Sequence, residues 1–233
     1  MKKLILVGLV LLLGGMVRAA DVSVGELEFG IKGGMNFSDA RGADKDDAST
    51  KTGLIAGAYG TVRIHRLFVV QLEALYTRKG FNNFNVQQGF YSIYGADLTL
   101  DYFEVPLLFK LSVPTAGTLL PNFYVGPALA ISTRSRLSVQ EPRDEFGNPL
   151  PAWNADIVNV KNTYFEMVLG TGAEMEYPGW KVLIDVRYTW GLSHFTNDHE
   201  FVLNDSQVTL VKPDGSGLDL RHGTLSVMVG MAF

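Results

Sequence analysis

Cysteine is absent from all 233 residues. No disulfide can brace this chain and no lipidated cysteine can tether it, so stability must come from the fold itself. Basic charge is scarce, with 20 Lys and Arg against 24 Asp and Glu. That balance argues against nucleic acid as a partner, because no basic face is available to neutralise phosphates. Beyond the first residues no apolar run is long enough for a membrane-spanning helix, so any membrane contact of the remaining chain must be made by strands. Helical periodicity is missing too: no capped segment of period 3.6 follows residue 20.

The apolar run that is present lies at the start, "MKKLILVGLVLLLGGMVRAADVS". Lys2 and Lys3 precede Leu4–Leu13, an apolar stretch of the length found in secretory signals, and Val17-Arg18-Ala19 offers small residues at a cleavage site. The run is too short to span a bilayer as a helix. A signal peptide over residues 1–19, cut after Ala19, is expected. Its removal leaves 17 basic residues against 24 acidic ones, a net charge of −7.

What fills the rest is alternation of period two, in eight stretches of about ten residues. They are Phe29–Phe37, Gly53–Ile64, Phe68–Lys79, Leu100–Ser112, Asn122–Arg134, Asn162–Tyr177, Lys181–Leu192 and Gly223–Phe233. The joins alternate in length. Ser38–Thr52, Gly80–Thr99, Ser135–Lys161 and Ser193–His222 are long; His65–Leu67, Val113–Pro121 and Pro178–Trp180 are shorter. Antiparallel strands of even number, with long loops at one end and short turns at the other, form the pattern of an outer-membrane barrel.

The two faces of each stretch differ. In "LDYFEVPLLFKL", Phe103, Val105, Leu107, Phe109 and Leu111 alternate with Tyr102, Glu104, Pro106, Leu108 and Lys110. In "KVLIDVRYTW", Val182, Ile184, Val186, Tyr188 and Trp190 oppose Leu183, Asp185, Arg187 and Thr189. Large apolar residues fill one face. The other mixes single charges with tiny residues, among them Gly30, Gly34, Gly57, Gly126, Ala128, Ala130, Gly170, Gly172 and Gly230. Eight strands enclose room only for side chains, so long charged residues fit inside if their neighbours are small. The apolar face therefore points to lipid and the mixed face points in. Aromatic residues near the strand ends (Phe29, Phe37, Phe68, Tyr76, Tyr102, Phe123, Tyr177, Tyr188, Trp190, Phe233) suit interfacial girdles. Pro106 and Pro127 each remove a ladder hydrogen bond, and a bulge or widened turn is expected to absorb them.

These same residues resemble the PorT-like outer-membrane β-barrel family, common in Bacteroidetes-type bacteria. "GIKGGMNFS" is similar to its opening strand through Gly30, Lys32, Gly34 and Asn36. "QLEALYTRKG" matches a later motif through Gln71, Glu73, Leu75, Tyr76, Lys79 and Gly80. "LDYFEVPLLFKL" matches through Tyr102, Glu104, Pro106, Leu107, Leu108 and Lys110. "YVGPALAIS" and "IDVRYTWGLSHF" extend the resemblance through Gly126, Pro127, Asp185, Arg187, Tyr188, Gly191 and Leu192. Leu72 and the ending "GMAF" depart from the usual pattern. The resemblance implies an outer-membrane barrel and treats Pro106 as a family feature; it implies no defined activity.

The strongest constellation is Lys32, Glu73, Glu104, Lys110, Glu166, Glu174, Asp185 and Arg187, all on mixed faces. It can be a polar pathway or a plug of paired charges, and the narrow interior favours the plug. His194, Asp198, His199 and Glu200 gather in "SHFTNDHE" without a nucleophile motif or a metal-ligand spacing. "DARGADKDDAS" lacks the Gly and Glu of a calcium loop. No catalytic residue, metal or cofactor is expected. "DHEFVLNDSQVTLVKPDG" holds two short β-rich runs around Asn204-Asp205-Ser206, so the last long loop is expected to rise as a hairpin. The final stretch, "LSVMVGMAF", closes the cylinder against "GIKGGMNFS", and its terminal Phe233 is the expected signal to the barrel-assembly machinery.

The expectation is an all-β protein: an eight-stranded antiparallel up-and-down transmembrane β-barrel over residues 20–233, in the bacterial outer membrane. Its partners would be outer-membrane lipid, the assembly machinery and whatever meets the long loops. Its role would be structural, adhesive or that of a narrow channel. Two rivals remain: a soluble lipocalin-like barrel holding an apolar ligand, and an enzyme sited at the rim.

Overall fold

The structure, a computed structural model, describes residues 25, 27–41, 49–88, 91–143, 148–149, 151–157, 162–193, 201–202, 209–210 and 221–233. The proposed signal segment, Asp44, Asp46, Asp47, the His194–Glu200 cluster and Asn204-Asp205-Ser206 lie outside them.

The strands are β1 (Leu27–Arg41), β2 (Ser49–Arg63), β3 (Phe68–Gln88), β4 (Tyr91–Ser112), β5 (Leu119–Arg143), β6 (Trp153–Asp156), β7 (Thr163–Tyr177), β8 (Trp180–Gly191), β9 (Phe201–Val202), β10 (Thr209–Leu210) and β11 (Arg221–Ala232). Neighbours pair antiparallel in the order β1-β2-β3-β4-β5-β7-β8-β11, and β11 returns to β1 from Gly30↔Ala232 to Arg41↔Arg221. Eight strands thus close into a barrel. Closure leaves these strands no free edge along the spanning part of the wall. β6 adds to the far end of β5, from Arg136↔Asp156 to Val139↔Trp153. β9 and β10 form a small separate ladder, the expected hairpin of the last long loop. No helix among the described residues is long and apolar enough to cross a membrane.

Alternation decides which way each side chain points. The apolar residues of "LDYFEVPLLFKL" and its neighbours face outward: Phe109 is 54% exposed and Phe165 62%. The mixed faces point inward, where Glu73, Glu104, Glu166 and Arg187 are buried. A soluble barrel with an apolar ligand chamber needs the opposite polarity, so the lipocalin-like alternative falls.

Four expectations change in detail. Gly80–Thr99 is not a long loop: β3 and β4 stay paired out to Gln88↔Tyr91. β5 likewise runs on to Arg143, and Ser92 pairs with that residue. Beyond an apolar band the backbone groups still need partners, and neighbouring strands supply them most cheaply. Pro106 and Pro127 sit in register, opposite Ala128 and Met167 respectively, with no bulge at either. The register shift falls instead between Asp101 and Tyr102, which pair with Arg134 and Ser132, so that Thr133 is the extra residue. Its hydroxyl donates to the Asp101 carbonyl at 2.9 Å. Finally, Tyr102 belongs to no girdle. Its ring is wholly buried inside the barrel, edge-on to Tyr164 at 5.4 Å.

Candidate functional site

The lumen is filled in layers. Near its middle Lys32 of β1 donates to Glu73 Oε1 of β3 at 2.6 Å and to Asp185 Oδ2 of β8 at 3.0 Å. Arg187 Nη1, also on β8, donates to Glu73 Oε2 at 2.7 Å. The Tyr124 hydroxyl of β5 donates to Asp185, and Gln71 Nε2 donates to Glu73. Lys110 of β4 then donates to Gln71 Oε1 at 3.0 Å and to Glu174 Oε1 of β7 at 2.7 Å. One hydrogen-bonded string therefore runs Tyr124–Asp185–Lys32–Glu73–Gln71–Lys110–Glu174 and stitches together six strands.

Toward the long-loop end a second cluster follows. Lys79 of β3 sits 2.5 Å from Glu104 of β4 and 3.0 Å from Glu166 of β7. Beside it Asn36 of β1 donates to Thr77 at 2.5 Å and accepts from Ser226 of β11 at 2.7 Å. Ser38 and Thr224 share a hydrogen bond of 3.1 Å. Above these lie buried apolar side chains: Phe81, Leu98, Leu100, Leu137, Val139, Ala155 and Ile157.

Small residues make the layers possible. Lys32 lies opposite Gly57 of β2, and a methyl group on Gly57 would come within 2.9 Å of the Leu75 side chain and 2.8 Å of its Cα. Without that methyl, Lys32 passes over β2 to reach β3. Gly170 plays the same part on β7: a Cβ there would meet the Tyr124 ring at 2.3 Å. The ring that holds Asp185 therefore lies flat against bare backbone.

Energetically the lumen is two opposed terms. Desolvating each ion costs several kcal/mol, and partners at contact distance offset this only when the remaining polar atoms are also satisfied. Four cations (Lys32, Lys79, Lys110, Arg187) face five carboxylates (Glu73, Glu104, Glu166, Glu174, Asp185), so the balance is close. The pairs link strands that lie across the lumen from one another, such as β1 with β8 and β3 with β7. At the short-turn mouth lies a cavity of about 10 Å³, lined by residues including Glu28, Tyr59, Arg63, Glu174 and Lys181. A space of that size holds roughly one water.

All eight residues expected on the inner face are placed inside the barrel. Lys32, Glu73, Lys110, Glu174, Asp185 and Arg187 share the middle string; Glu104 and Glu166 share Lys79. Lys79, Gln71, Asn36 and Tyr124 were missed as members. Parity could have found Lys79, since Glu73, Leu75, Thr77, Lys79 and Phe81 continue one face. Among the described residues no three His, Asp or Glu converge on a site for a metal ion.

An antiparallel cylinder with an apolar outer band and charges locked inside is a membrane-spanning β-barrel. The chain belongs to the family described as outer membrane protein beta-barrel domain, whose model matches residues 18–197. Its place is the bacterial outer membrane. No curated protein sequence matches the chain. Among solved structures it is similar to Neisserial surface protein A, at 16% identity over 87% of this chain and 95% of the other, with a TM-score of 0.42. The Ail protein of Yersinia pestis matches at 15% identity over 89% and 99%, TM-score 0.40. OprG from Pseudomonas aeruginosa matches at 12% identity over 88% and 95%, TM-score 0.44.

Proposed function

We propose that this protein is a plugged, non-enzymatic outer-membrane barrel that acts as a structural or interaction protein through its long-loop end. One observation carries the reading: two ion-pair layers and an apolar layer lie in series along the lumen. A narrow-channel role would need those layers to part. Planar-bilayer recording of the purified protein tests it: the expected trace is flat, and steady open-channel currents would overturn the plug.

Assignment to the PorT-like family is part of this proposal. It is supported by the fact that its motif residues Lys32, Glu73, Glu104, Lys110, Asp185 and Arg187 are the ones packed in the lumen. The same reading has residues 1–19 removed as a signal peptide and both termini in the periplasm, with the long loops outside. Phe233 serves as the assembly signal in this proposal. Its side chain is 68% exposed at the seam, while its backbone N–H donates to the Phe29 carbonyl at 3.0 Å.

A further inference from the structure

The outer surface changes abruptly toward the long-loop end of β3, β4, β5 and β6. Tyr76, Phe103, Ile131 and Phe165 are exposed and form the last apolar level of the wall. One step further along the same outward face stands a row of charge. Arg78 lies opposite Asp101, Asp101 opposite Arg134, and Arg136 opposite Asp156. These residues therefore sit where acyl chains end and headgroups begin, a level at which interfacial residues are expected.

The row is unevenly paired, and Asp97 stands beside it on the same outward face of β4, opposite Ser138. Asp101 is largely covered and fully engaged by Arg78, whose Nε and Nη2 donate to its two carboxylate oxygens at 2.7 and 3.2 Å. Asp156 faces two guanidinium groups. Arg134 and Arg136 approach its Oδ1 at 3.7 and 3.6 Å, longer than hydrogen bonds, with all three side chains about half exposed. Arg134 and Arg136 project from the same face of one strand, about 7 Å apart along it. Two planar donor forks that close, with one weakly held counter-charge, match the oxygens of a phosphate group.

We propose that Arg134 and Arg136 bind the phosphate of a lipid headgroup in the leaflet at the long-loop end. The occupant is a lipid rather than free phosphate because the pair is continuous with the lipid-facing band directly beneath it. The headgroup phosphate would bridge the two guanidinium groups while its chains lie against Ile131 and Phe165. Asp156 opposes binding, since it competes for the same donors.

Native mass spectrometry of the full chain in detergent micelles tests this, with phosphatidic acid as probe and phosphatidylcholine as reference. Phosphatidic acid should be retained about tenfold better, the effect of one added bidentate ionic contact. Arg134→Gln with Arg136→Gln should bring it to within about twofold of the reference, whereas Asp156→Asn should raise retention. Arg63→Gln, at the opposite end, should leave it unchanged. Equal retention by the double variant, a fall in Asp156→Asn, an equal loss in Arg63→Gln, or displacement of the lipid by equimolar inorganic phosphate would each overturn the assignment. Heat-dependent mobility on gels verifies that every variant is folded.

Discussion

Replacing Lys32 by Met keeps most of the side chain's length and removes its charge. In the structure that charge is held at 2.6 Å by Glu73 and at 3.0 Å by Asp185, and the lysine and glutamate side chains are fully buried. After the change Arg187 alone faces two carboxylates. Orphaning one member of a buried pair costs about 3–5 kcal/mol, which is roughly two to four decades in the folding equilibrium. Adding Asp185→Asn should recover part of this loss, about 1 kcal/mol or more. The Arg187–Glu73 bridge at 2.7 Å is then intact, the local charges balance, and the Asn oxygen still accepts from Tyr124. Urea unfolding in lipid vesicles, followed by tryptophan fluorescence, gives both numbers. A Lys32→Met barrel within about 1 kcal/mol of the parent, or a double variant less stable than the single one, would refute the view that this string is a balanced charge network.

Two further outcomes follow from the packing. Gly170→Ala places a methyl group 2.3 Å from the Tyr124 ring, whereas the nearest atom to a methyl on Gly33 is 3.5 Å away. The first should cost about 1–3 kcal/mol by overpacking and the second close to nothing, so the reverse order in the same unfolding assay counts against the filled lumen. Deleting Phe233 should lower the amount of barrel assembled in the membrane, because the exposed ring is the proposed assembly signal; normal surface levels of the shortened chain would sink that role.

Strand number, direction and facing could all be read from the chain because each strand carries one uniformly large face and one face of small residues with single charges. "LDYFEVPLLFKL" is the clearest example, and its inward Glu104, Leu108 and Lys110 lie where parity puts them. The ends of the strands were harder. Past Lys79 the residues turn polar in "NNFNVQQ" and the pairing shifts register twice, so composition resembles a loop while the backbone remains paired. In β5 the extra residue Thr133 reverses parity: Ala128 and Ala130 point in below it, Ser135, Leu137 and Val139 above it. A reader who carries even numbers across that point turns Leu137 to the outside. The grouping of charges was not readable at all, because it depends on which strands lie across the lumen, and nothing in the sequence of Lys79 shows that Glu166 faces it.

The seam between β1 and β11 has a consequence for how the molecule comes into being. Gly30 can find Ala232 only once β11 has been made. Every shorter N-terminal fragment is an open sheet with two unpaired borders, ready to take strands from any neighbour. Contacts so distant along the chain also form slowly. Without β11 the wall keeps two unpaired borders, on β1 and β8, where further strands can add.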